Sequence, residues 1–318
     1  MAVPQNQPPD TPRARVPGPQ QPPPPCPLIS AGLWKRCLGI GAALWALTAV
    51  VTYATSDVAP LPTLILLGSF LVPVTFALWA YERHGRDLGT SPLLGCFLAG
   101  GALGALGASV TEYQLARPSL GMFVSTGLAE EAVKLGALMF LLRRHTRIRG
   151  PRAGLVLGAT LGFGFAALEG AGHAFDAAVS LQDVGLRTLL ETEILRGVLT
   201  PFGHGLWTAV AGAALLARRR PDGRFRPTAQ VAGACLGASL LHALWDSTRG
   251  IALWLVDRLG RAGLDRTLPA RGGLPRPTGG QEHLLTLFSV GGLFLVALVG
   301  LVWARSLAHR DATWRNTP

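Results

Sequence analysis

SLGMFVSTGLAEEAVKLGALMFLL, residues 119–142, is long enough to cross a bilayer and apolar except for Glu130, Glu131 and Lys134 near its centre. A charge at the middle of a membrane helix costs about 2.5–3.5 kcal/mol on insertion scales, so three within five residues need a reason. Two further apolar segments carry the same anomaly, Phe165-x-x-x-Glu169 and His242-x-x-x-Asp246. These misplaced ionisable groups are the place to look for function.

The surrounding sequence is that of a membrane protein. Of 318 residues, 49% are hydrophobic and only 15% charged, well short of the roughly 25% charged residues of a soluble domain. Apolar runs predict an all-α, polytopic membrane helix bundle of about eight transmembrane helices. The expected spans are 37–54, 61–81, 93–111, 119–142, 153–172, 194–217, 228–256 and 283–304. They divide the chain into a disordered, Pro-rich cytoplasmic tail (1–32), a transmembrane peptidase-like domain (33–304, motif core about 90–256) and a cytoplasmic C-terminal tail (305–318). Residues 257–282 form an expected extracytoplasmic loop within that domain.

The net charge of +11 is a topology signal and not a nucleic-acid one. With the N-terminus inside, nineteen Lys/Arg fall in cytoplasmic segments, including Arg143, Arg144, Arg147, Arg149 and Arg152 in one loop, and seven fall outside. Both termini are therefore expected in the cytoplasm. The four cysteines lie singly, without a C-x-x-C, which argues against a zinc knuckle or a disulfide framework.

Small residues recur at every fourth position in the fifth span: Gly154, Gly158, Gly162, then Ala166. Such a stripe lets a second helix approach closely in lipid. Glu169 follows on the same face and is expected to point into the bundle, with Phe165 walling its pocket. In the sixth span Pro201 removes a backbone donor beside His204, a kink tolerated only in protein or beside water. At 1.5 Å per residue, Glu130, Glu169, His204 and His242 come out at comparable depths, roughly 15–17 Å below the outer surface or in the outer half of the core. His173 and Asp176 are expected in a loop just past the fifth span.

Glu130 and Glu131 are both within one turn of Lys134. Lys134 is suited to neutralise one carboxylate and leave the other, expected to be Glu130, to face water. Hydrolysis of a peptide bond needs a captured water, a base and donors for the developing oxyanion. Glu130 with Glu169 would hold and activate the water, while His242 oriented by Asp246 would stabilise or protonate the intermediate. A zinc ion held by His204, His242 and a carboxylate, Glu169 or Asp246, is the other way to make that water reactive, and the residues leave both open.

The EEAVK at 130–134, FAALE at 165–169 and HALWD at 242–246 match in order and spacing the E-E-x-x-K, F-x-x-x-E and H-x-x-x-D motifs of the PrsW family. The chain thus resembles intramembrane proteases of the wider superfamily of CAAX prenyl endopeptidases and bacteriocin-immunity proteins. The resemblance implies catalytic positions at Glu130, Glu131, Lys134, Glu169, His242 and Asp246, and a bacterial cell-membrane location. It also implies membrane-anchored protein substrates, such as anti-sigma factors, cut near the extracytoplasmic side. Family members are commonly classed as metallopeptidases. Two other classes fit the buried charges: a proton or ion pathway, and an inactive relative that binds a substrate.

Overall fold

The sixth apolar segment is broken in two, so eight expected spans correspond to nine α-helices among the described residues. The computed structural model describes residues 32–114, 120–179, 185–259 and 279–315, all helix, turn or loop without a strand. The helices are α1 (Leu33–Thr55), α2 (Leu61–His84), α3 (Thr90–Gln114), α4 (Leu120–Leu142), α5 (Pro151–Val179), α6 (Leu186–Leu199), α7 (His204–Ala217), α8 (Ala229–Leu259) and α9 (Glu282–Arg315). The Pro-rich tail up to residue 31 and most of the expected loop, 260–278, lie outside the described residues.

Five of these are long and apolar enough to cross a membrane: Leu33–Thr55, Leu61–His84, Thr90–Gly107, Pro151–Ala178 and Gly279–His309. The others miss that standard for physical reasons. Glu130, Glu131 and Lys134 interrupt α4, and polar residues including His242 and Asp246 dilute α8. α6 and α7 have 14 residues each, about 21 Å at 1.5 Å per residue, too short to span a ~30 Å core alone.

α5 is the central post. Its span is 78% buried, against 11% for α1 and 17% for α9, whose outer faces are left for lipid. α5 packs chiefly on α7, α3 and α2, while α4 packs on α8. The glycine stripe explains the closest of these pairings. A Cβ at Gly154, Gly158 or Gly162 would strike the α7 carbonyls of Gly212, Thr208 and His204 respectively. In lipid, packing of this kind substitutes for a hydrophobic driving force between helices. Gly127 plays the same part in α4, where a side chain would run into α8 at Ser239, His242 and Ala243.

The pairing also defines the broken span. Leu189 of α6 is buried with Ala174 and Ala178 near one end of α5, and α7 then runs back along the glycine stripe. α6 and α7 thus form one discontinuous span antiparallel to α5, interrupted by a single 3-10 turn at Thr200–Phe202 and by Gly203. Pro201 has no N–H to continue the ladder, and Thr200 returns its hydroxyl to the Arg196 carbonyl at 2.7 Å. One expectation is corrected here. α5 continues to Val179, so His173 and Asp176 are helical and not in a loop; packing of Ala174 and Ala178 on Leu64, Ile65 and Leu189 carries the helix beyond the apolar run.

Candidate active site

α4 supplies the base of the site. Lys134 is fully buried and its three donors meet three acceptors: Glu131 Oε1 at 2.8 Å, His204 Nδ1 at 2.9 Å and Glu130 Oε2 at 3.3 Å. Its ammonium also sits 3.6 Å from the centre of the Phe165 ring, a cation–π contact worth more away from water. Phe165 is therefore a floor beneath Lys134 and does not line the pocket, contrary to the walling role expected of it.

The adjacent glutamates differ in surroundings. Glu131 is buried, held by Lys134, by the Thr208 hydroxyl at 3.3 Å and by His242 Nδ1 at 3.2 Å. Glu130 shares Lys134 but lies on the wall of a cavity of about 320 Å³, together with Glu169, His204, His242 and Asp246. Thr208 has no role assigned by the sequence pattern. Its signal was its place one turn after His204 on the same helix face.

Hydrogen-bond logic sets the histidine tautomers. Lys134 is only a donor, so His204 Nδ1 accepts, and a neutral His204 carries its proton on Nε2. That nitrogen faces Glu169 Oε2 at 2.8 Å, close enough for a strong electrostatic contact, though Glu169 Oε2 makes no aligned hydrogen bond. Glu169 is also approached by Arg196 Nη2 at 3.3 Å and His173 Nε2 at 3.4 Å. At His242 the carboxylate of Glu131 fixes the proton on Nδ1. Nε2 then faces Asp246 Oδ2 at 3.2 Å and Glu130 Oε2 at 3.8 Å, so three atoms bearing lone pairs converge. Such a meeting is stable only with a cation between them, a second proton on the ring or a metal.

The two imidazole rings are 4.8 Å apart at 80°, and Trp207 stacks on His242 with centres 4.9 Å apart. Glu130, His204 and His242 present ligand atoms within 4.8 Å of one another. Two imidazoles, a carboxylate and an open side toward the cavity are a donor set suited to a catalytic divalent metal. His204 gives its lone pair to Lys134 in this arrangement, so a metal competes with Lys134 for it. The carboxylate grouped with the histidines is Glu130, whereas the set expected from sequence takes Glu169 or Asp246. Glu169 lies across His204, because the two nitrogens of that ring face opposite neighbours, Lys134 and Glu169.

The family model of the PrsW family intramembrane metalloproteases matches residues 89–260, more than half of the chain. The chain belongs to this family. No curated protein and no solved structure matches it. It is an integral membrane protein and an intramembrane protease. α3 to α8 make up the PrsW-family match, and α1, α2 and α9 lie outside it.

Proposed function

We propose that this PrsW-family protease is an endopeptidase that cuts membrane-anchored proteins near the extracytoplasmic side, with anti-sigma factors as the substrate class. The observation that carries the reading is the cavity in which Glu130, His242 and Asp246 converge above a buried Glu131–Lys134 pair. Glu130 is the base: it takes a proton from a water held between it and His204, and the resulting hydroxide adds to the substrate carbonyl carbon. His242, carrying a second proton on Nε2 and held through Nδ1–H by Glu131 beside Asp246, donates that Nε2–H to the oxyanion. Glu130 then passes its proton to the leaving nitrogen as the C–N bond breaks, leaving a free carboxylate and an amine. Lys134 neutralises Glu131 and limits the charge on Glu130. Glu169, backed by Arg196 and His173, positions His204.

With an ion present, Glu130, His204 and His242 would instead hold a divalent metal, zinc by donor type, which would lower the pKa of a bound water and polarise a carbonyl in place of the base and donor roles given to Glu130 and His242 above. The arginine distribution supports a reading with both termini in the cytoplasm.

Reconstitution with single-span substrates tests the assignment. Glu130→Gln and His242→Ala should each lose roughly 10²–10⁴-fold in cleavage rate, the range for a general acid–base; undiminished cleavage in both sinks it. Metal analysis with chelation separates the two: stoichiometric zinc lost together with activity assigns Glu130, His204 and His242 to the ion, and full activity in metal-free protein assigns them to proton transfer.

A further inference from the structure

Glu193 of α6 is a buried carboxyl group that the chemistry above does not use. It is only 5% exposed and sits on the one inward face of α6, while Ile194, Leu195 and Val198 point outward. One oxygen, Oε2, accepts the indole N–H of Trp45 from α1 at 2.6 Å. The other, Oε1, is buried without a hydrogen-bond partner. A buried acceptor left unpaired costs about 1–3 kcal/mol, so the arrangement calls for a donor.

The space for that donor is present. Glu193, Arg196, Ser69 and Thr200 line a cavity with about 10 Å³ open to the centre of a water molecule, enough for a single water. A glycine keeps it clear: a Cβ at Gly68 would strike the Glu193 carboxyl group, whereas one at Gly170 would only touch Arg196 Nε at 3.4 Å. Arg196 lines this cavity and also the large one, where its guanidinium reaches Glu169 Oε2 at 3.3 Å.

We propose that an ordered water in this cavity joins Glu193 to Arg196, and that Glu193 is thereby a positioning residue for the active site. The water donates to Glu193 Oε1 and to a hydroxyl oxygen of Ser69 or Thr200, and accepts from Arg196. Arg196 is thus held against Glu169, which in turn orients His204. The catalytic consequence rests on the proposed peptidase mechanism; the water itself does not. Trp45, Gly68 and Ser69 belong to α1 and α2, outside the family match, so this chain's flanking helices reach the site through one solvent molecule.

The hydrogen-bond polarity gives a sharp test. In Glu193→Gln the Trp45 indole claims the amide oxygen, and the NH₂ group turns toward a water that needs an acceptor. Cleavage by Glu193→Gln in full-length reconstituted protein should fall about 10-fold in kcat with KM unchanged. In Trp45→Phe/Glu193→Gln the amide is free to flip, and kcat should recover to within about 3-fold of Trp45→Phe, itself near wild type. A merely structural Glu193 predicts the opposite, a double variant as poor as the single or worse, and that result overturns the proposal, as does wild-type kcat in Glu193→Gln. A high-resolution density map of wild-type protein reads the water without reference to activity. Density bonded to Glu193 and Arg196 is expected, and a dry cavity overturns the proposal. Absence of any cleavage in wild type counts instead against the peptidase assignment.

Discussion

Arg219 and His242 are both polar side chains buried in this protein, and they are buried in opposite ways. Arg219, in the loop after α7, is 6% exposed and spends its donors on four carbonyls: Leu142, His145, Ile148 and Gly223, each at 2.8 Å. Four of its five N–H donors meet carbonyls, and every close partner is an acceptor. Burial, and after it the charge of Arg149, lowers its pKa from the ordinary arginine value, yet it caps the α4 C-terminus as a cation should. His242 has the reverse arrangement. Its Nε2 is crowded by Asp246 and Glu130, acceptors that have no donor in common unless a proton or metal is supplied. In this pair, complementary partners mark the structural group, and like partners crowded on one atom mark the chemical one.

That contrast breaks if structural and chemical losses fail to separate. Lys134 belongs to both classes, and its removal should have the largest effect. Lys134→Met leaves the buried Glu131 and the cavity-wall Glu130 without their cation and should destabilise the protein by about 3–5 kcal/mol, with cleavage abolished. Unfolding in detergent, followed by circular dichroism, measures this; an unchanged midpoint would contradict the burial argument. Arg219→Ala should lose about 2 kcal/mol, less than four stranded carbonyls suggest because water reaches some of them. Its folded fraction should keep kcat within about twofold of wild type, and a collapse of kcat with intact folding would erase the distinction. Thr208→Val is the smallest test. Loss of the 3.3 Å bond to Glu131 should cost about 1 kcal/mol in stability and a few-fold in cleavage, read from the same two assays.

Much of the bundle was legible in the sequence because lipid imposes long apolar runs and punishes stray charge. α2, α4 and α8 begin and end within a few residues of their expected limits. The gathering of Glu130, Glu131, Lys134, Glu169, His204, His242 and Asp246 around one cavity also follows the pattern of polar exceptions. What stayed hidden depends on orientation about a helix axis or a ring. Hydropathy puts Glu193 just outside the sixth span, because only the break at Thr200–Gly203 shows that α6 begins at Leu186. Spacing could not place Glu169 and Glu130 on different sides of His204. Arg219 reads as one more positive-inside residue among its neighbours, since a count of charge says nothing of which one turns inward.

The glycines of α5 separate two properties that hydropathy merges. Replacing Gly162 by valine would make the segment more apolar and a better candidate for insertion. The same methyl groups would push against the His204 carbonyl and shift His204 relative to Lys134. Entry into the bilayer and assembly within it are therefore governed by different residues, and at this position they pull in opposite directions.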